Sequence, residues 1–186
     1  MQVLDCYLVV DRPPDEVWFV DQHALHEAIL FEQWQQRVRS GALETQRLLI
    51  PETVKLPALQ AAWVLEHAAE LSELGLTVED FGGGTVLLTG YPALLRKRSP
   101  TAVLLAVVDH LVSQERPPSR EQLLNDLLSV MACHAAVRAG DQLSVEEIAA
   151  LVARCDLAEN AHHCPHGRPT MFRLRRHELD KHFRRR

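Results

Sequence analysis

The 186-residue sequence predicts an α+β fold of two subdomains, and three observations lead there. Strand-like runs paired through turns stand beside longer runs with helical periodicity, a mixture typical of that class. Proline breaks near 51–57 and 116–118 bracket a middle segment, 46–116, that reads as an insertion between 1–45 and 117–186. The apolar fraction of 47% is enough for a real core, and the length suits one ordinary domain or two small subdomains.

The elements follow in order. LDCYLVV (4–10) and EVWFV (16–20) are rich in β-branched and aromatic residues, and DRPPD between them favours a turn, which gives a hairpin. From Asp21 the period becomes helical: Ala24, Ile29, Leu30, Trp34 and Val38 fall towards one side, and SGA at 40–42 ends the helix. QRLLIP (46–51) reads as a short strand stopped by its proline. Residues 57–74 form one amphipathic helix with Pro57 at its start. LTVEDFGGGTVLLTGYP (76–92) reads as two strands joined by a glycine turn.

Ser99 is placed to cap the next helix, 99–114, which ERPPS (115–119) breaks. Ser119 with Gln122 has the spacing of a capping box for a long helix ending near Gly140. Ser144 with Glu147 repeats that signal for 144–155. A polar, histidine-rich loop (158–169), an extended TMFRL (170–174) and a short basic helix complete the chain.

A net charge of −5 argues against a surface that grips nucleic acid everywhere. The tail RLRRHELDKHFRRR is strongly basic, so any nucleic-acid contact is expected to be local and salt-sensitive. The same charges also fit a solvated helix end. No run approaches the roughly 18 apolar residues of a membrane span, and MQVLDCYLVV lacks the features of a signal peptide. The expectation is a soluble, cytoplasmic protein with no membrane partner. Its four cysteines are then reduced thiols, some of them candidate ligands.

DQHALHE (21–27) concentrates polar chemistry at a helix start. His23 and Glu27 are four residues apart and share a face, so an imidazole and a carboxylate can approach one divalent ion. Asp21 can join from the side, or simply cap the exposed amides. Glu32 points elsewhere round the helix. Taken alone, Asp21 reads more simply as an N-cap, and Glu27 and Glu32 as solvated helix residues.

CPH (164–166) supplies a thiol and an imidazole that share a side if the segment is extended. Both are usual zinc partners. Gly167 and Pro169 suit a defined turn, and Arg168 brings a fixed charge suited to phosphate. A buried cysteine beside a loop histidine is the plain alternative. In ACHAAVRAG (132–140), Cys133 and His134 cannot share a helix face, and Cys133 sits among Leu127, Val130 and Val137 as a core thiol would.

DQHALHEAILFE fits the pattern Asp-Gln-His-Ala, two residues, Glu, four residues, Glu at every specified position. ACHAAVRAG and CPHGRPT fit two further motifs of the same family, in order. The chain resembles the C-terminal domain of the MutL DNA mismatch-repair family in its endonuclease-bearing form, over nearly its whole length. The resemblance implies a homodimer that nicks one DNA strand, with 1–45 and 117–186 as the dimerisation subdomain of sheet plus helices. Residues 46–116 are then an external regulatory subdomain of helices and strands.

It assigns Asp21, His23, Glu27, Cys164 and His166 to a metal site, raises Cys133 as a further ligand, and gives Asp21, His23, Glu27 and Glu32 the catalytic role. Nitrogen and sulfur donors favour zinc or manganese over magnesium, so Zn²⁺ is expected with Mn²⁺ or Mg²⁺ as the catalytic ion. QRLLIP resembles the linear motif that engages the sliding clamp (the β subunit of the replicative polymerase), through Gln46, Leu48, Leu49 and Pro51. Without that resemblance an edge strand packing on its own core is the simpler reading. Arg168, Arg184 and Arg185 are the candidate DNA contacts.

The family carries an N-terminal ATPase module, so this chain is expected to be one domain of a longer protein that also meets a mismatch-recognition partner. The rival reading is a non-catalytic dimerisation and clamp-binding module with a structural zinc site. The intact set of Asp21, His23, Glu27 and Glu32 speaks for the nuclease.

Overall fold

The computed structural model describes residues 1–41, 43–95, 98–112, 119–157 and 162–185. The proline break expected at 116–118 and the start of the histidine-rich loop at 158–161 lie outside the described residues. In chain order the elements begin β1 (Gln2–Val3), β2 (Tyr7–Arg12), β3 (Glu16–Asp21), α1 (Gln22–Ser40), β4 (Thr45–Lys55), α2 (Ala58–Glu66) and α3 (Ala68–Glu73). They continue β5 (Thr77–Gly82), β6 (Thr85–Pro92), α4 (Pro100–Val112), α5 (Arg120–Ala135), α6 (Val145–Leu157), β7 (Met171–Arg175) and α7 (Arg176–His182). The fold is α+β, with every sheet pairing antiparallel.

The chain separates into two compact units, Met1–Glu32 with Ala136–Arg186, and Gln33–Ala135. The segment 46–116 lies inside the second unit, which also takes in the second half of α1 and all of α5.

In the first unit the strands run in the order β1-β2-β3-β7. Leu8 and Val20 face each other across the β2–β3 pair and bury against Leu25 and Ile29 of α1 and Leu151 and Cys155 of α6. Alternation sends the neighbouring residues to the opposite face. There Val9, Phe19 and Phe172 stand in one cross-strand row, with the two phenyl rings 6.2 Å apart. The first hairpin strand starts later than expected, at Tyr7. Leu4 and Asp5 adopt left-handed backbone (φ 52° and 50°), and Cys6 N–H donates to Val3 O, so residues 4–6 form the turn that pairs β1 with β2.

The second unit carries the sheet β4-β6-β5 with α2 to α5. Val54, Val86, Leu88, Leu71, Leu104 and Leu127 are among its buried residues. The expected helix over 57–74 is two helices, bent at His67 (φ −101°, ψ 21°), whose ring lies 4.4 Å from that of Trp63. Pro51 does not stop its strand. The register passes from Arg47 opposite Gly90 to Glu52 opposite Leu88, so residues 48–51 bulge outward where no ladder donor is required of the proline.

The capping boxes form as expected. Ser119 and Gln122 exchange bonds of 3.0 and 3.3 Å, and Ser144 and Glu147 exchange bonds of 2.8 and 3.2 Å. The long helix ends at Ala135 rather than near Gly140. The next amides are taken elsewhere: Val137 N–H by His26 Nδ1 and Arg138 N–H by the Asp141 carboxylate, and Gly140 turns at φ 94°.

Candidate metal centre

Asp21 ends β3 and caps α1, its Oδ1 accepting Ala24 N–H at 2.9 Å. Its own amide donates to Thr170 O at 2.9 Å, which fixes the end of the 162–170 loop beside the helix start. One turn into α1, His23 Nε2 lies 4.0 Å from Glu27 Oε2. The loop closes on itself through Cys164 N–H to Arg168 O (2.9 Å) and Thr170 N–H to His162 O (3.0 Å).

Within it the chain does not run extended through CPH. Cys164 O accepts Gly167 N–H at 2.8 Å, a four-residue turn with Pro165 at its second position and Gly167 at φ 77°. That turn still presents both side chains together. Cys164, His166 and Glu27 each offer a ligand atom, all within 4.8 Å of one another.

Glu27 is fully buried, where an ionised carboxylate is costly unless compensated. His166 Nδ1 lies 2.7 Å from Oε1, and Arg168 donates to Oε2 at 3.3 Å. Despite the approach of His166, Oε1 receives no well-directed hydrogen bond. Arg168 holds its proton above the ordinary value, chiefly through its bond with the Cys164 side chain, against slight burial, with the charges of Cys164, Glu27 and Asp21 adding.

Two histidines engage the two backbone polar groups of Val137. His23 Nδ1 is 2.8 Å from Val137 O, and a carbonyl only accepts, so the proton sits on Nδ1. In the neutral ring this leaves a lone pair on Nε2, the nitrogen nearer Glu27. His26 is the other tautomer, because its Nδ1 accepts Val137 N–H at 3.2 Å. Burial, then Arg154 and His23, lower its pKa to about 4.

A thiol, an imidazole and a carboxylate with one buried oxygen lacking a donor form a three-membered donor set of the kind that fits zinc, an ion that takes four ligands. Asp21, His23 and Glu32 lie outside the close trio, although His23 neighbours it and Asp21 is near enough to act on Arg168. Glu32 is half-buried on α1, and Cys133, also half-buried, belongs to α5 in the second unit. Arg168 stands at the rim of the trio, while Arg184 and Arg185 are exposed beyond α7. Gln46, Leu49 and Pro51 are exposed on β4, and Leu48 is half-buried. Sequence reasoning missed Gln22, His26 and the Val137 backbone. Gln22 lies inside the quoted motif, but spacing alone gives a buried amide no signal.

Residues 1–143 match the family described as the MutL C terminal dimerisation domain. This chain belongs to that family. Among proteins named DNA mismatch repair protein MutL, that of Geotalea daltonii is 39% identical over 166 residues, 89% of this chain. The MutL of Caulobacter vibrioides is 37% identical over 185 residues, 100% of this chain. The MutL of Geobacter sulfurreducens is 40% identical over 166 residues, 89% of this chain. The chain spans only 27–29% of the length of these MutL proteins. Among the described residues no helix is long and apolar enough to cross a membrane.

Proposed function

We propose that this chain is the metal-dependent, DNA-nicking endonuclease domain of a MutL mismatch-repair protein, acting as a homodimer and docking on the sliding clamp. The observation that carries the reading is Glu27: a fully buried carboxylate, one oxygen without a directed donor, facing Cys164 and His166. Glu27, Cys164 and His166 hold the ion, with His23 beside them. A divalent ion there supplies Lewis acidity toward a phosphoryl oxygen and toward water. Zinc suits the sulfur and nitrogen donors, and Mn²⁺ or Mg²⁺ suits the carboxylates of Asp21, Glu27 and Glu32.

Asp21, held in place by its cap, is the candidate proton acceptor. Arg168, more than half exposed, offers its guanidinium to the phosphodiester while bracing Glu27. Arg184 and Arg185 extend that contact along the DNA backbone. The uncovered sheet face with Val9, Phe19 and Phe172 supports dimerisation through the first unit. The bulge at 48–51 supports clamp docking, because Leu49 is 103% and Ile50 82% exposed, apolar side chains with no place in their own core. The mismatch-recognition partner is met through the full-length protein.

The deciding experiment is nicking of supercoiled plasmid with Mn²⁺ and added clamp. The expected result is nicked circles with the native chain and none with Asp21→Asn. Ion binding and dimerisation without any nicking support the rival module with a structural zinc. Replacing Gln46 and Leu48 by alanine is expected to abolish only the nicking gained on adding clamp.

A further inference from the structure

We infer that Gln22 is a positioning residue that sets the tautomer of His23. This rests on the reading of His23 as a residue of the metal site. Gln22 is fully buried, and its amide is engaged at both ends. Oε1 accepts from Gln2 Nε2 at 2.8 Å. Nε2 faces three carbonyl oxygens, those of Asp5 (3.2 Å), Arg138 (3.1 Å) and Asp141 (3.1 Å). Three acceptors round one atom fix which end of the amide is nitrogen.

The consequence runs through the backbone. Arg138 and Asp141 are the two ends of one turn, joined by Asp141 N–H to Arg138 O (3.1 Å) and Arg138 N–H to Asp141 Oδ2 (2.7 Å). Gln22 holds both ends with one nitrogen, and the residue before that turn is Val137. Its carbonyl is the acceptor that keeps the His23 proton on Nδ1 and the Nε2 lone pair toward Glu27. An unconstrained neutral imidazole prefers its proton on Nε2, the tautomer unable to bind a metal there. One amide, placed next to His23 in sequence, thus holds the loop that overrides that preference.

The test is two-bond ¹H–¹⁵N NMR of the metal-free chain at about pH 8, where the reference imidazole is neutral. His23→Gln identifies the resonances among ten histidines. The native chain should show His23 protonated on Nδ1, and Gln22→Met, matched in length but without the amide, should show a majority on Nε2. Each released carbonyl keeps another donor (Gly140 N–H on Asp5, Gln2 on Asp141, Asp141 N–H on Arg138), so the variant is expected to fold. Should it melt out, Gln2→Met frees the Gln22 amide from the rim and should move the tautomer the same way, by less.

An unchanged tautomer in a folded variant, or Nε2–H in the native chain, overturns the inference. Co²⁺ titration then separates it from the metal reading. Gln22→Met should weaken Co²⁺ binding about 10- to 100-fold, the usual cost of losing an outer support. A native chain that binds no Co²⁺ sinks the metal reading, while the tautomer still judges Gln22.

Discussion

Glu27 Oε1 and His166 Nδ1 lie 2.7 Å apart, one on a helix turn near the start of the chain and the other in a loop near its end. Glu27→Gln keeps the shape and removes the charge. Because Glu27 is fully buried and its Oε1 lacks a directed donor, its charge is only partly compensated. The metal-free variant should therefore melt at or above the native chain, within about 1 kcal/mol. Zinc at about 100 times its Kd should stabilise the native chain by roughly 2.7 kcal/mol, reversed by chelator, and leave the variant unmoved. Equal stabilisation of both in thermal melts would remove Glu27 from the site.

His26 makes the stability of the fold acid-sensitive. Its folded pKa of about 4 lies below the ordinary imidazole value of 6.5, so the unfolded chain binds more protons between them. The stability it contributes is complete above about pH 6.5 and is lost as pH falls through about 4. Protonating Nδ1 would also evict the Val137 N–H. His26→Gln keeps an acceptor without a titrating ring and should spare on the order of 2–3 kcal/mol of that loss. Urea melts at both ends of the window measure it, and parallel losses in the two proteins would refute it.

Gly90 is required by space rather than by backbone angle. A Cβ there would meet Thr77 Oγ1 at 2.5 Å and Thr45 Cγ2 at 2.9 Å. Both neighbours are β-branched and cannot swing away cheaply. Gly90→Ala should cost about 1–3 kcal/mol in chemical denaturation, and Thr77→Ala should recover part of it. A neutral Gly90→Ala would show that the β4-β6-β5 sheet has slack at this point.

The bulge on β4 makes the opposite prediction. Leu49→Ala and Ile50→Ala, at solvent-exposed positions, should shift stability by less than about 0.5 kcal/mol. A loss comparable to a core truncation, read by the same melts, would show that the bulge packs on the protein itself.

Much of this fold was legible because local chemistry decided it. The Ser144–Glu147 box, the glycine turn between β5 and β6 and the helix opening at Asp21 are set by residues within a few positions of one another. The misses share a cause. Pro51 continues a strand because a bulge, defined only by the partner strand, removes the demand for its N–H. The helix expected to reach Gly140 ends at Ala135 because His26, 111 positions away, takes the Val137 amide. At the site, the trio of Glu27, Cys164 and His166 could be guessed by joining two incomplete ligand sets. The support from Gln22 could not, since the three partners of its Nε2 are backbone carbonyls that any sequence possesses.

The pairing of β3 with β7 has a meaning for assembly of the chain. Val20 opposes Met171, and the next rung is Asp21 N–H to Thr170 O, so the turn bearing Cys164 and His166 is delivered to α1 by strand register. A slip of one residue would turn every β7 side chain to the other face and carry the turn off by roughly 3.3 Å. The donor trio therefore comes together only in molecules whose third and last strands have zipped in the correct frame. On the proposed metal reading, ion uptake during refolding would act as a proofreading signal, counting the chains that have closed properly.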